Sequence, residues 1–401
     1  MMTQQSLVLL GFLCAPQAAI VGAWAESQGA PVVIGETVQL QSNILKESRS
    51  LLISKPVGYD GGTERYPVLY LLDGETHFHY ASGIAGFLAD DDRMPNMLVV
   101  GIVSGDMAHR THDLTPFSTA ETDNRFSPGN GGADAFLSFV AGELIPFVDK
   151  TYRTRPYRLL VGHSFGGLFG VYALISKPTL FNAYILAEPS LYWNNESVVA
   201  RAESFLSDIK SLQADFYMTA SSDSGKPPAA VARFSAALGK SAPAGFRWHF
   251  DWMKQEDHMS IPLPSIYHGL ETIFEDWRLT DPLELFDKGG IEGIHRRYRE
   301  AGQRFGYPER ITPPFTVSLV VAALMRAGRL EEASKVLLGD PKAYPPPWNQ
   351  LDALARAYEG RGDSGQAARY YLLSLRQNPA NDFAKKKLAE MGVKIPASAR
   401  D

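Results

Sequence analysis

Between residues 36 and 277, short and nearly continuous apolar runs alternate with stretches of helical period. The runs lie at 68–72, 97–103, 158–161, 181–187, 216–220 and 246–252. Runs that are apolar on both faces are expected of a mostly parallel sheet covered by helices on each side. Segments 133–152 and 166–176 have the period of amphipathic or buried helices. Two earlier segments, 38–44 and 50–54, predict an opening antiparallel pair. Strands alternating with helices predict an α/β fold with right-handed crossovers.

After Trp277 the pattern changes. Residues 282–401 carry helix signals and no convincing strand, with one helix predicted over 291–302. A repeat of 34 residues then emerges: Gly328 is matched by Gly362, Ala333 by Ala367, Leu337 by Tyr371 and Leu324 by Tyr358, and Pro379 closes the second unit. Glycine supplies the turn between two helices, alanine lets them approach, and the large apolar residues fill the space between. This period and these residues resemble the tetratricopeptide (TPR) repeat. Two units and a helix over 381–391 make a short array, which would bind a protein partner or cap the neighbouring domain.

The first 25 residues hold no charged side chain. Residues 6–24 are largely apolar, broken at Pro16 and Gln17, and Ala23-Trp24-Ala25 has the small-x-small pattern of a signal-peptidase site. This predicts a leader over 1–25, an α/β domain over 26–280 and a helical domain over 281–401. A periplasmic or secreted location follows, although residues 1–5 lack the usual Lys or Arg. No stretch supplies the ~20 apolar residues of a spanning helix, so no membrane span is expected in the mature chain.

Composition removes other classes. With 45% hydrophobic residues the chain is not disordered. A net charge of −5 gives no bulk attraction for nucleic acid. The single cysteine, Cys14, falls in the leader, so there is no disulfide framework, and the mature chain suits an oxidising compartment.

One constellation carries chemistry. Residues 158–161 lead into Gly162-His163-Ser164-Phe165-Gly166-Gly167 and then an apolar helix. This is G-x-S-x-G in the context it requires, strand then tight turn then helix. Ser164 is the candidate nucleophile, and the Phe165 amide can point at a developing oxyanion. A second donor belongs on the loop after the third strand, where Leu71-Leu72-Asp73-Gly74-Glu75 offers Gly74 or Glu75.

A serine hydroxyl needs a base. Chain order disfavours His77, His79, His109 and His112, which precede the serine. His163 sits in the elbow, His249 in a strand, His268 in a helix and His295 beyond the domain. His258, directly after the last strand, is the candidate base. For the acid, the loop after the seventh strand offers Asp223. Glu256, Asp257, Glu188 and no acid at all are the alternatives. A metal site built from His77, His79, His109 and His112 lacks further supporting ligands, and no cofactor is needed. Trp193, in a loop, is a candidate for the substrate pocket; Trp248 and Trp252, in a strand, read as core.

Together these residues resemble the putative esterase family of α/β-hydrolases, which includes enterochelin-type siderophore esterases, S-formylglutathione hydrolase and the antigen 85 mycolyltransferases. The resemblance covers roughly residues 38–277. It rests on Tyr70-Leu71-Leu72-Asp73-Gly74, on the 162–167 elbow, on Glu188-Pro189-Ser190-Leu191-Tyr192-Trp193 and on Asp257-His258-Met259-Ser260-Ile261-Pro262. Arg110-Thr111-His112-Asp113-Leu114-Thr115-Pro116 also looks like the R-x-x-D-L-T-P segment of siderophore-esterase-like members, which places Arg110 and Asp113 at the rim of the site. The resemblance implies a nucleophile at Ser164, a base at His258 and an acid near Asp223, although a Ser-His dyad has been proposed for some periplasmic relatives. The expected activity is hydrolysis of a small-molecule ester through an acyl-enzyme. The alternatives are an acyltransferase on the same fold and a TPR-based scaffold on an inert hydrolase domain.

Overall fold

Apolar runs become strands where both faces can be covered. The structure, a computed structural model, describes residues 30–222, 228–278 and 281–396. The predicted leader, Cys14 and Asp223 lie outside the described residues. The strands are β1 (Glu36–Gln41), β2 (Ser48–Ser54), β3 (Tyr66–Leu71), β4 (Leu98–Ile102), β5 (Thr154–His163), β6 (Ala183–Ala187), β7 (Ser211–Ala220) and β8 (Ala244–Trp252). They form one sheet in the order β1-β2-β4-β3-β5-β6-β7-β8. The pairs β1–β2 and β2–β4 are antiparallel and the rest are parallel. β3, β4 and β6 are buried at every position, which is why they read as unbroken apolar runs, whereas β2 alternates.

Successive β3 side chains enter opposite layers. Val68, Tyr70 and Leu72 join a core with Phe136, Phe169 and Phe234, under α4 (Ala133–Phe139), α5 (Ile145–Thr151), α6 (Phe165–Ser176), α7 (Trp193–Asp208) and α8 (Ala229–Ser241). Leu69 and Leu71 face Phe78 and Leu270, under α1 (Gly74–Asp90) and α9 (Pro262–Ile273). The helix expected over 133–152 contains a π-helical turn, Val140–Leu144, between α4 and α5. Pro146, which opens α5, has no N–H to continue the ladder, which accounts for the looser turn. The segment after β4, around Arg110, is helical: α2 (Met107–Leu114) and α3 (Glu121–Phe126). The Asp106 side chain caps α2 by accepting from the His109 amide.

The remaining helices are α10 (Pro282–Arg304), α11 (Pro314–Arg326), α12 (Leu330–Gly339), α13 (Trp348–Gly360), α14 (Ser364–Gln377) and α15 (Asp382–Glu390). α10 is broken at Gly290, whose φ 63° and ψ −163° are not helical; the piece after the break corresponds to the helix predicted over 291–302, and the piece before it is capped by the Asp281 side chain and opened by Pro282. Gly328 and Gly362 take positive φ, 74° and 78°, at the equivalent turns. Ala333, Ala367, Leu337 and Tyr371 are buried together in a separate core.

This helical segment is seated against the amino-terminal halves of the central strands. Phe305 packs on Tyr157 and Phe274 with ring centroids 5.6 and 4.8 Å apart. Arg304 bonds Asp215 at 2.5 Å and Asp276 at 2.7 Å, and Arg155 bonds the Gly306 carbonyl at 2.8 Å and pairs with Glu309. The chemistry described next is at the other end of the sheet.

Candidate active site

Ser164 is the single residue between β5 and α6 and holds φ 60°, ψ −116°. A non-glycine residue at such angles is costly and persists only when its surroundings enforce it. Here they do. A Cβ on Gly162 would stand 2.3 Å from the Gly166 carbonyl oxygen, so only glycine lets the turn close. The Ser164 amide donates to the Ala187 carbonyl, the Ser190 amide donates to the Ser164 carbonyl, and both bonds are 3.0 Å. Ser164 Oγ lies 3.2 Å from Ser190 Oγ.

The adjacent strand end supplies a carboxylate. Glu188 follows β6, with φ 39°, and its amide donates to the Thr219 carbonyl. Its Oε1 accepts from Ser221 Oγ at 2.8 Å, and its Oε2 lies 3.4 Å from His258 Nδ1. The second distance is long for a hydrogen bond but close for an ion pair, and catalytic contacts often tighten only once substrate is bound. Burial alone would raise the Glu188 pKa; His258 and Ser221 outweigh it and hold the carboxyl below its ordinary value. Among the described residues Glu188, weighed only as an alternative from the sequence, is the carboxylate paired with His258. Glu256 bonds Ser260, and Asp257 accepts from the Met259 and Ser260 amides.

A row of imidazoles backs the site. The His163 ring is 4.6 Å from that of His258 and 5.7 Å from that of His77, whose Nδ1 lies 2.5 Å from Tyr80 Oη. Burial, helped by the neighbouring histidines, pushes the His163 pKa down to about 4, so this ring is neutral near pH 7. Burial lowers His77 as well. His249 bonds Asp251, and His295 bonds Thr312 in the helical segment.

The proposed oxyanion donors are helix amides. Phe165 opens α6 and Gly74 opens α1, and the first amides of a helix have no partner within it. Gly74 is forced: a Cβ there would stand 2.8 Å from the Gly101 backbone. The Glu75 carboxylate accepts from the Ser104 and Gly105 amides, the latter at 2.9 Å, which pins the start of α1.

Of the three expected substrate contacts, Trp193 and Asp113 are buried and are corrected, while Arg110 stays beside the elbow. Trp193 is 1% exposed; its indole N–H donates to the Pro116 carbonyl and its ring packs edge-on against Phe165, so it is core. Asp113 is buried and holds Arg49 at 2.6 Å, a pairing of distant segments that no local pattern displays. Arg110 grips Asp73 with two bonds of 2.7 and 2.8 Å and reaches the His163 carbonyl at 3.3 Å. It thus ties the α1 loop to the serine elbow. The exposed aromatic groups near the serine are Tyr192, two residues past Ser190, and Phe126, edge-on to Phe165. Ser190 and the Arg110–Asp73 clasp went unread in the sequence, although both fall inside the motifs quoted for the resemblance. Among the described residues no group of three or more His, Cys, Asp or Glu is arranged to hold a metal.

A serine at a strained strand-to-helix turn, at the carboxyl edge of a mostly parallel eight-stranded sheet, defines an α/β-hydrolase. The model of the family described as "Putative esterase" matches residues 42–240. The chain is 30% identical over 196 residues to the ferri-bacillibactin esterase BesA of Bacillus subtilis, covering 45% of this chain and 67% of that protein. It is 40% identical over 107 residues to a siderophore enterobactin esterase of Emericella nidulans, but this spans only 24% of this chain and 35% of the relative. An IroE-like serine hydrolase from Shewanella oneidensis aligns with TM-score 0.59 and 27% identity over 75% of this chain and 97% of that one. The chain belongs to the putative esterase family, among its enterochelin esterase-like members.

Proposed function

We propose that the chain is a serine hydrolase that cleaves carboxylic esters of a siderophore or of a similarly substituted small molecule. Ser164 Oγ attacks the ester carbonyl while His258 takes its proton. The amides of Phe165 and of Gly74 or Glu75 receive the oxyanion. His258 then protonates the leaving alcohol, and water resolves the acyl-enzyme with the same base. Glu188, in place of Asp223, orients His258 and stabilises its charged form.

The observation that carries this reading is the strained Ser164 turn hydrogen-bonded to the very strand end that presents Glu188 to His258. The substrate class is suggested by the siderophore esters named for the relatives. The exposed Tyr192 and Phe126 would suit a planar substituent. We place the enzyme outside the cytoplasm on the strength of the predicted leader; among the described residues no helix is long and apolar enough to cross a membrane. The test is turnover of a short p-nitrophenyl ester together with labelling by a fluorophosphonate probe. Ser164→Ala should lose both. Full turnover by that variant would overturn the reading, and labelling without turnover of any siderophore ester would overturn the substrate class alone.

A further inference from the structure

The start of α7 winds the wrong way. Asn194, Asn195 and Glu196 hold φ of 48°, 50° and 61° with ψ of 52°, 45° and 27°, three left-handed residues in succession. Among the described residues no other non-glycine residues at positive φ adjoin one another. A single asparagine takes such angles readily, but a run of them is costly and persists only where its surroundings enforce it. Glu196 is held by Arg233 at 2.9 Å. Asn195 is exposed and its side chain bonds no described residue. Asn194 is the member of the turn that reaches another segment.

Its Oδ1 accepts from the Thr119 amide at 3.1 Å and the Thr119 hydroxyl at 3.3 Å, and its Nδ2 donates to the Phe117 carbonyl at 3.3 Å. Its own amide donates to the Asp123 carboxylate at 2.7 Å, which also accepts from Ser118 Oγ at 2.6 Å. Asp123 is the one buried side chain of α3, whose sequence Glu-Thr-Asp-Asn-Arg-Phe has no aliphatic or aromatic residue except the exposed Phe126. α3 therefore has no buried apolar face, and this polar clasp is what seats it. The segments it joins carry the two exposed aromatic groups near Ser164: Phe126 on α3 and Tyr192 just before the turn. We infer that Asn194 is a positioning residue for substrate selection: the left-handed turn aims its amide at the 117–123 segment, and the clasp fixes Phe126 relative to Tyr192 at the approach to Ser164. This rests on the esterase reading proposed above and adds the residue that sets its preference for planar substituents.

The test compares three esters in a pH-stat: phenyl acetate and vinyl benzoate, which carry a ring on the alcohol and the acyl side, and vinyl acetate, which carries none. Asn194→Gly keeps the left-handed backbone accessible and deletes the side-chain amide, while Trp193 still holds the Pro116 carbonyl, so the variant should fold. It should raise KM for the better aryl ester about fivefold, the worth of one aromatic contact, and leave kcat/KM for vinyl acetate within about twofold. Asp123→Ala, which deletes the other arm of the clasp, should act in the same direction. Asn195→Gly eases the same turn without touching the clasp and should leave the kinetics on all three esters unchanged. An equal loss on vinyl acetate in Asn194→Gly would overturn the inference, because the turn would then serve the catalytic groups. An unchanged KM for both aryl esters, or an equal rise from Asn195→Gly, would overturn it too. A wild-type chain that turns over none of the three would instead overturn the esterase reading, and this inference with it.

Discussion

Glu188→Gln is the decisive substitution in the site, because it keeps the shape and hydrogen-bonding capacity of the side chain while removing the charge that faces His258. At a separation of 3.4 Å two unit charges interact by about 5 kcal/mol at an effective dielectric constant near 20. The His258 side chain is 41% exposed, so solvent screening reduces this to about half. A loss of about 2.5 kcal/mol in stabilising the charged base corresponds to roughly 70-fold in kcat/KM. The assay is initial-rate hydrolysis of a p-nitrophenyl ester, with fluorophosphonate labelling to confirm that the fold is intact. Asp223→Asn is the paired control and should leave kcat/KM within about threefold, because with Glu188 as the acid Asp223 has no part in the reaction. If Glu188→Gln stays near the wild-type rate while Asp223→Asn loses activity, the acid is Asp223 and the geometry has been misread. If neither matters, the site works as a Ser-His pair.

Arg110→Met should act on both stability and rate. It strands Asp73, whose side chain is 6% exposed, with only Ser104 Oγ at 2.8 Å, and so should cost about 3 kcal/mol in urea unfolding. It also frees the α1 loop from the elbow, which should lower kcat about tenfold with KM little changed; an unchanged kcat would show that the clasp is not needed for positioning. Acid should destabilise the fold through His163. Its folded pKa of about 4 is below the 6.5 of the unfolded side chain. Over that window the unfolded chain binds more protons, so stability is complete above the unfolded value and falls toward the folded one, by about 3 kcal/mol in total. His163→Gln should flatten the pH dependence of unfolding free energy between those limits, and a wild-type slope in the variant would assign the effect to another group.

The central strands were legible because both their faces are buried, and so were the turns that need glycine. The elbow was legible because Gly162 is dictated by a contact four residues away, with the Gly166 carbonyl. The acid was harder. In sequence Glu188 and Asp223 follow β6 and β7, neighbouring parallel strands, and a carboxylate after either strand suits a base that follows β8. What favours Glu188 is its backbone at φ 39° and the Ser221 hydroxyl that braces it, neither of which has a pattern in sequence. Trp193 was misplaced because a tryptophan just past a strand looks exposed, while its indole is in fact claimed by Pro116 across 77 positions. Arg110 and Asp113 share one motif and were assigned one role. On α2 they point to different partners, Asp73 and Arg49, so the motif reads better as a structural clasp beside the site than as a substrate clamp.

The helical segment changes pattern at residue 281 without becoming a separable body. Residues 34–401 form a single unit, and the junction between the two parts is built from groups that neither could leave alone. Asp215 is 6% exposed and is held by Arg247 from the sheet and by Arg304 from α10, while Asp276 takes Arg247, Arg297 and Arg304. Burial pushes the Asp215 pKa up and Arg247 pulls against it. Removing α10 would leave that carboxylate with one cation fewer and would uncover Tyr157, Phe274 and Trp277, which now pack on Phe305. Breaking a buried pair costs about 3–5 kcal/mol, a large share of the stability of an ordinary domain. The carboxyl end of α10 and the residues just after it therefore form a floor under the hydrolase sheet. Because that floor lies at the amino ends of the strands, a partner bound to the outer helices of the segment would leave the mouth of the Ser164 site open.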